Sequence, residues 1–388
     1  MRRIFVIASL LAVLASSALA QELTIGVNLS TTGPAASLGI PNKNSVMLGP
    51  SEIAGLKVKY IFLDDASDPT TAIQNVKRLV SENNIDLLMG PSITPTSMAI
   101  LDTLQDAKLP AIVYGSTSQI TSPQEGKRKW VFKTVPNDDV FVAAIVGHML
   151  KRGVKTISML AVNDSYGESW IKAVKKATEG KGIKMLGIER FERSDPSTTP
   201  QAMRLVKDHP DAVVIAAVGT SAVTPHLSLV ERHYNGKIYQ SGGAVNPDFL
   251  RVGGKLLEGS YAAQSPVIVA NQLADGYPTK KEAVKWLTLY QKEYGPPAPY
   301  AAYPWDTIKI LEAAVPVALK SARPGTVQFR EALRTALENV QGIVGAAAVY
   351  SMSANDHVGI NELGMCVLKV QNGTWALAQA ADFKKMKK

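Results

Sequence analysis

Residues 85–104 read IDLLMGPSITPTSMAILDTL. An apolar run, Ile85 to Met89, meets Gly90-Pro91 and then four hydroxyls, Ser92, Thr94, Thr96 and Ser97, before an apolar pattern with helical spacing resumes. A buried strand that hands over to a helix through such a turn is the repeating unit of a parallel sheet covered by helices. The same turn leaves unpaired backbone N–H groups beside the hydroxyls, a setting that receives an anion such as carboxylate or phosphate.

The unit recurs in both directions. Upstream, LTIGVNLS (23–30) and LKVKYIFLDD (56–65) read as strands, and DPTTAIQNVKRLVSENN (68–84) as a helix with Ile73, Val76, Leu79 and Val80 on one face. Downstream comes the strand LPAIVYG (109–115). After Pro136 the pattern restarts with helix 138–153, strand 156–162, helix 164–182 and strand 184–191, and then AVVIAAVG (212–219), apolar enough to be buried on both faces. Two such runs predict an α/β fold of two doubly wound lobes. Residues 260–270 read as a crossing segment, 279–295, 303–322 and 326–340 as helices, and the tail as strands turning at 354–356 and 372–373. The lobes are therefore expected to be discontinuous, 21–138 plus 268–343 and 139–267 plus 344–388.

The first twenty residues, MRRIFVIASLLAVLASSALA, have a basic start, an apolar centre too short for the roughly 20 residues of a membrane span, and a small-residue cleavage site before Gln21. They predict export with cleavage after Ala20, and no cysteine follows for a lipid anchor. The single cysteine, Cys366, excludes an internal disulfide, so buried cores must supply the stability. The formal charge of +9 becomes +7 without the two leader arginines. It is scattered rather than arranged in a basic stripe, which argues against nucleic acid.

In an open parallel sheet, ligands sit beyond the carboxyl ends of the strands. The segments there are STTGPAASLGIP (30–41, with Ser37), GPSITPTS (90–97, with Ser92, Ile93 and Thr94) and YGSTSQIT (114–121, with Tyr114, Gly115, Ser116 and Thr117) in the first half. In the second half they are NDSYGESW (163–170, with Tyr166), GTSAVTP (219–225, with Thr220 and Ser221) and SGGAVNPDF (241–249, with Ser241, Gly242 and Gly243). Each segment alone could be helix caps and turns; their recurrence on strand after strand points to a cleft for a small polar ligand. Enzyme motifs are missing: there is no P-loop lysine, G-x-G-x-x-G, H-E-x-x-H or G-x-S-x-G. The histidines, at 148, 209, 226, 233 and 357, have no metal-ligand spacing, and His357 reads as a turn residue with local bonds. No catalytic residue, cofactor or metal is expected.

Taken in order, the leader, IGVNLSTTGPAASLG (25–39), MGPS (89–92), YGSTSQIT, NDSYGESW and KIYQSGG…DFL (237–250) resemble the solute-binding proteins of branched-chain amino-acid-type ABC importers. These are type I periplasmic binding proteins, and the resemblance spans nearly the whole chain. It implies two lobes joined by three crossing strands, a ligand clamped between them, and a periplasmic monomer whose closed form is read by a membrane permease. In that family, first-lobe hydroxyls and N–H groups hold the ligand's carboxylate; the matching positions are Ser92 to Thr94 and Gly115 to Thr117. Charged hydrogen bonds of about 1.5–3 kcal/mol each then supply much of a micromolar affinity, about 8 kcal/mol, without any arginine. The family also places a tyrosine over the ligand, matched by Tyr166, with Asp164 capping the next helix.

Amino-acid binders of the family add a second-lobe acid for the ammonium. Here SGGAVNPDF offers no acid before Asp248, and its glycines would leave room for a flat ring. Tyr114 and the tail VYSMSANDHVGIN (349–361) resemble members that take aromatic carboxylates of benzoate or phenylpropanoid type. A ring of 150–250 Å² is worth roughly 4–6 kcal/mol gross. The rivals are an amino-acid binder using Asp306 or Asp248 for the amine, a secreted ligand sensor, and an enzyme on a similar scaffold. Trp305 and Asp306 are expected near the hinge.

Overall fold

The computed structural model describes residues 22–360 and 364–379, so the expected leader and its cleavage site lie outside it. The first run comprises β1 (Glu22–Leu29), α1 (Ala36–Met47), β2 (Glu52–Ile53), β3 (Leu56–Asp64), α2 (Pro69–Asn83) and β4 (Leu87–Met89). Two short helices follow, α3 (Thr94–Ala99) and α4 (Leu101–Asp106), then β5 (Ala111–Val113) and β6 (Val131–Lys133). The second run comprises α5 (Asp138–Lys151), β7 (Thr156–Val162), α6 (Ser165–Thr178), β8 (Lys184–Phe191) and α7 (Thr199–Val206). It continues with β9 (Ala212–Ala216), α8 (Val223–Glu231), β10 (Lys237–Gln240), α9 (Pro247–Gly253) and β11 (Tyr261–Gln264). Helices α10 (Lys280–Tyr294), α11 (Ala302–Ala318) and α12 (Val327–Leu337) precede β12 (Ile343–Val344), β13 (Val349–Tyr350), β14 (Cys366–Gln371) and β15 (Thr374–Gln379).

Two sheets result. The first has the order β2-β3-β1-β4-β5-β6 and is parallel but for β2; the second has the order β15-β14-β11-β10-β9-β7-β8 and ends in an antiparallel hairpin. Strand order reverses between β1 and β4 and again between β7 and β9, which parts the following loops and opens a crevice at each carboxyl edge. Strand β9 is buried at every residue, as an apolar run between two helical layers must be. Helix α2 starts at Asp68, whose carboxylate accepts from Thr71 N at 2.7 Å, and stops at Asn84 in the left-handed region. It buries Ala72, Val76 and Leu79, while Ile73 and Val80 stay half-buried.

Three departures from expectation have physical reasons. The donor-rich segment after β1 is helical from Ala36 onward, with Pro41 inside α1. The links between the sheets, 134–137 and 265–279, contain no strand, and each carries a proline (Pro136, Pro266) that cannot donate to a ladder. Among its described residues, the third link, beginning at 345, holds one strand, β13. Residues from 344, expected in the second lobe, instead attach to the first sheet: Lys133 N donates to His357 O at 2.9 Å, and Tyr350 Oη to Thr134 O at 3.0 Å. The second sheet receives the chain at Cys366. His357 likewise looks outward from its turn, with Nδ1 2.9 Å from Val131 O and its ring stacked on Phe132 at 4.1 Å.

Helices α10 to α12 return to the first sheet. Trp286 Nε1 donates to Ser45 Oγ at 2.9 Å and Arg330 Nε to Ile85 O at 2.9 Å. Asp306, on α11, accepts from Ala346 N, Ala347 N and Tyr350 Oη at 2.5, 2.9 and 2.8 Å, which ties the third link beside Thr134 in the first.

Candidate functional site

The two carboxyl edges face each other around a cavity of roughly 560 Å³ free of protein atoms, its mouth included. Its first-lobe wall is Leu38 and Asn42 of α1, Ser92 to Thr94 after β4, Tyr114 to Ser116 after β5, and Tyr300 and Tyr303 at the head of α11. The facing wall is Phe141, Tyr166, Trp170, Arg193 after β8, Val218 after β9, Gly242 and Gly243 after β10, and Gln264 at the end of β11, with Val135 between the walls.

Sequence reasoning placed Ser92, Ile93, Thr94, Tyr114, Gly115, Ser116, Tyr166, Gly242 and Gly243 at a ligand site, and all nine line this cavity. Within the opening stretch the hydroxyls divide. Ser92 Oγ accepts from Ser30 N at 3.2 Å and Thr94 Oγ1 is buried without a hydrogen-bond partner in the protein. Thr96 and Ser97 turn back onto Ile93 O and Pro91 O at 3.1 and 3.4 Å. Helix α3, which these residues open, has only six residues, so few aligned peptides support a charge at its head.

The other five positions have different work. Ser37 faces Gly219 across the lobes: a methyl on that glycine would lie 2.0 Å from Ser37 Oγ. Thr117 Oγ1 accepts from Ser169 Oγ at 2.9 Å, a second contact between lobes. Thr220 is exposed, Ser221 Oγ donates to Val218 O at 2.7 Å, and Ser241 Oγ donates to Ala217 O at 2.5 Å. The room expected at the glycine pair is occupied by protein. A methyl on Gly243 would meet Val218 Cγ1 at 2.5 Å, and one on Gly242 would meet Ala263 O and Phe141 Cε1 at 3.1 Å.

Six rings from both walls supply the apolar lining: Tyr114, Phe141, Tyr166, Trp170, Tyr300 and Tyr303. Phe141 and Trp170 stack at 6.5 Å between centroids, and Tyr166 tilts against Trp170 at 6.1 Å. Tyr114 reaches Thr307 Oγ1 at 3.4 Å and Tyr303 donates to Gln264 Oε1 at 2.9 Å, so the rings are held by their hydroxyls. Burial raises the phenol pKa of Tyr114, Tyr166 and Tyr303, keeping all three neutral.

Behind Ser116 lie two buried ionisable side chains, Lys133 and Asp138. Lys133 Nζ donates to Ser116 O, Thr117 O and Asn137 Oδ1 at 3.0, 3.1 and 2.5 Å. Burial pushes its pKa down to about 7 against the pull of Asp138. Burial also raises Asp138, which Ser116, Ser169 and Lys133 draw the other way.

Arg193 is the residue the sequence reading missed. Its Nε donates to Asp164 Oδ2 at 2.8 Å, and Nη2 lies 2.6 Å from the same oxygen. The side chain is 13% exposed; Nη2 is taken up by that ion pair, and Nη1 is buried without a partner in the protein. Asp164 also caps α6 as expected, accepting from Tyr166 N and Gly167 N at 2.8 and 3.2 Å. Hydroxyls and N–H groups are therefore not the cavity's only polar groups: a guanidinium lines it too. Its position after β8, at the carboxyl edge of a parallel sheet, is the signal that would have found it.

Neither acid reserved for an ammonium reaches the cavity. Asp306 is fully buried and engaged by the third link, and Asp248, on α9, pairs with Arg251 at 3.0 Å. None of the lining residues is acidic. Among the described residues, no group of three or more His, Cys, Asp or Glu could hold a metal, and no helix is long and apolar enough to cross a membrane.

Residues 22–374 match the family model described as "Periplasmic binding protein". The chain is 24% identical over 343 residues to a Leu/Ile/Val-binding protein of Rhizobium johnstonii, covering 86% of this chain and 88% of that one. A 183-residue, 28% identical match to a probable metabotropic glutamate receptor of Caenorhabditis elegans covers only 17% of that longer protein. Among solved structures, an extracellular ligand-binding receptor of Rhodopseudomonas palustris superposes with a TM-score of 0.88 at 39% identity, covering 92% of this chain and 99% of that one. An ABC-transporter solute-binding protein of R. palustris in complex with 3,4-dihydroxybenzoic acid shares the fold at TM-score 0.79 and 20% identity, over 93% and 96% of the two chains.

Proposed function

The chain belongs to the periplasmic binding protein family, and from that premise we propose that it is the exported binding component of an ABC importer for a small aromatic carboxylate. The observation that carries the reading is the lining itself: six rings, one arginine whose Nη1 has no protein partner, and no acid among the lining residues. Rings supply apolar area for a flat ligand, and a guanidinium supplies the fork a carboxylate needs. An amino acid would bring an ammonium as well, and burying that charge without a partner costs several kcal/mol. The dihydroxybenzoate complex of the R. palustris structure supports the ring, while the Leu/Ile/Val-binding relative supports the amino-acid alternative.

Contacts across the cleft, Thr117 to Ser169 and Ser37 to Gly219, belong to a closed arrangement. Ligand binding shifts the open–closed equilibrium toward it, and a permease senses the result. Thermal-shift and calorimetric screening of benzoates, cinnamates and aliphatic amino acids tests the reading. Stabilisation by aromatic acids at micromolar concentration is expected; stabilisation by leucine-type ligands alone would overturn it.

A further inference from the structure

We propose that the cavity has two chemically distinct poles and takes a hydroxyaryl carboxylate in one orientation, its carboxylate on Arg193 of the second lobe and its ring hydroxyl on Asn42 and Thr94 of the first. The inference rests on the aromatic-acid reading and deepens it. It reverses the orientation implied by the family resemblance, in which the first lobe holds the carboxylate.

Donor and acceptor inventories decide the direction. Arg193 has only donors to offer; Nη2 is ion-paired with Asp164 Oδ2 at 2.6 Å, and Nη1 is buried without a partner in the protein. A planar donor fork selects an anionic acceptor. On the opposite wall two buried polar atoms lack a protein partner: Thr94 Oγ1 and Asn42 Oδ1, on side chains belonging to residues 1% and 2% exposed. An amide oxygen accepts, and a threonine hydroxyl both gives and accepts, so this pair suits a group carrying a proton. A carboxylate placed there would meet Asn42 Oδ1 acceptor to acceptor.

Charge agrees with the inventory. At the first-lobe pole, the nearest ionisable groups are Lys133 and Asp138 behind Ser116, which offset one another, and α3 is too short to add much of a dipole. At the second-lobe pole Asp164 holds the guanidinium through Nε and Nη2, which leaves Nη1 without a protein partner on a residue that lines the cavity. Rings line the space between the poles.

Isothermal titration of the mature protein with 4-hydroxycinnamate, cinnamate, 4-hydroxybenzoate and benzoate tests this, alongside Arg193→Gln, Arg193→Lys and Thr94→Val. The wild type is expected to prefer the hydroxylated member of the better-bound pair at least tenfold. Thr94→Val should abolish that preference while leaving the unhydroxylated acid within about twofold. Arg193→Gln should weaken both members alike by 30-fold or more, and Arg193→Lys should restore part of the loss. Unchanged binding by Arg193→Gln, or equal weakening of both acids by Thr94→Val, overturns the orientation while leaving the aromatic-acid reading intact. Binding of amino acids and of no aromatic acid overturns both. Should Arg193→Gln fail to fold, the wild-type preference and the Arg193→Lys variant decide the matter.

Discussion

The hydroxyl of Tyr300 donates to the carbonyl of Ser37 at 2.6 Å. That carbonyl lies four residues before Pro41, the position whose N–H would serve it in a regular helix, and proline has none to give. A cavity-lining tyrosine therefore completes the backbone of α1 from outside. Tyr300→Phe is expected to lower stability by about 1–3 kcal/mol, the cost of a buried unsatisfied acceptor. Pro41→Ala should recover part of it by restoring the N–H. Urea denaturation of the two single variants and the double variant measures the coupling; additive losses would refute the relationship.

Ser169 Oγ donates to Thr117 Oγ1 at 2.9 Å across the two lobes, and on the proposed closure this bond belongs to the closed state. Ser169→Ala is expected to weaken ligand binding by roughly 3- to 10-fold, consistent with a net hydrogen bond of about 1 kcal/mol. The melting temperature of the ligand-free protein should stay within a degree or two. Small-angle scattering should show a larger open fraction at fixed ligand concentration.

Tyr166 presents its ring to the cavity beside Trp170. Tyr166→Ala should weaken binding at least tenfold, about 1.4 kcal/mol, with a native circular dichroism spectrum. Unchanged affinity would remove the ring from the ligand's surroundings.

Gly243 is a packing glycine. Gly243→Ala puts a methyl 2.5 Å from Val218 Cγ1 and 3.0 Å from its Cβ, so a loss of about 1–3 kcal/mol is expected from overpacking. Val218→Ala in the same chain should relieve the clash. Thermal melts of the single and double variants decide it.

Burial pushes the Asp306 carboxyl up to about 7, against the bonds from Tyr350 and the backbone of 346–348 that favour its ionised form. An acid whose folded pKa exceeds its unfolded value, near 3.9, stabilises the fold most when protonated. Its contribution is fully present below about pH 4 and is lost as pH rises to about 7. Asp306→Asn cannot titrate, so the wild type's stability relative to it should fall by at least about 1 kcal/mol across that window. Denaturation midpoints at several pH values measure this, and a flat difference would show that Asp306 titrates normally.

The fold was legible where period and composition agree. Strands β7 and β8 begin and end at the expected 156–162 and 184–191, and Asp164 caps the helix its position suggested. Helix α1 was not legible, because Gly, Pro and Ser at 33–41 spell a loop and the partner that offsets Pro41 stands more than 250 residues away, at Tyr300. At the site, the hydroxyls expected after strands include three that line the cavity, Ser92, Thr94 and Ser116. Which hydroxyls face inward depends on the local backbone, and Thr96 and Ser97 bond to theirs. Arg193 looked like one more solvated charge because its pairing with Asp164 spans 29 residues of sequence. Glycine marks a missing methyl without saying whether a ligand or Val218 takes the space.

One carboxylate, Asp164, both starts the helix bearing Tyr166 and Trp170 and steadies the guanidinium across the loop. Divergence at these positions is consequently linked. A lineage that exchanged Arg193 for a neutral side chain, to admit an uncharged nutrient, would strand an anion beneath its own pocket. Replacing Asp164 first would fray the helix carrying two of the six rings. Specificity at this pole should therefore drift by paired replacement of 164 and 193, a covariation that related genomes can reveal.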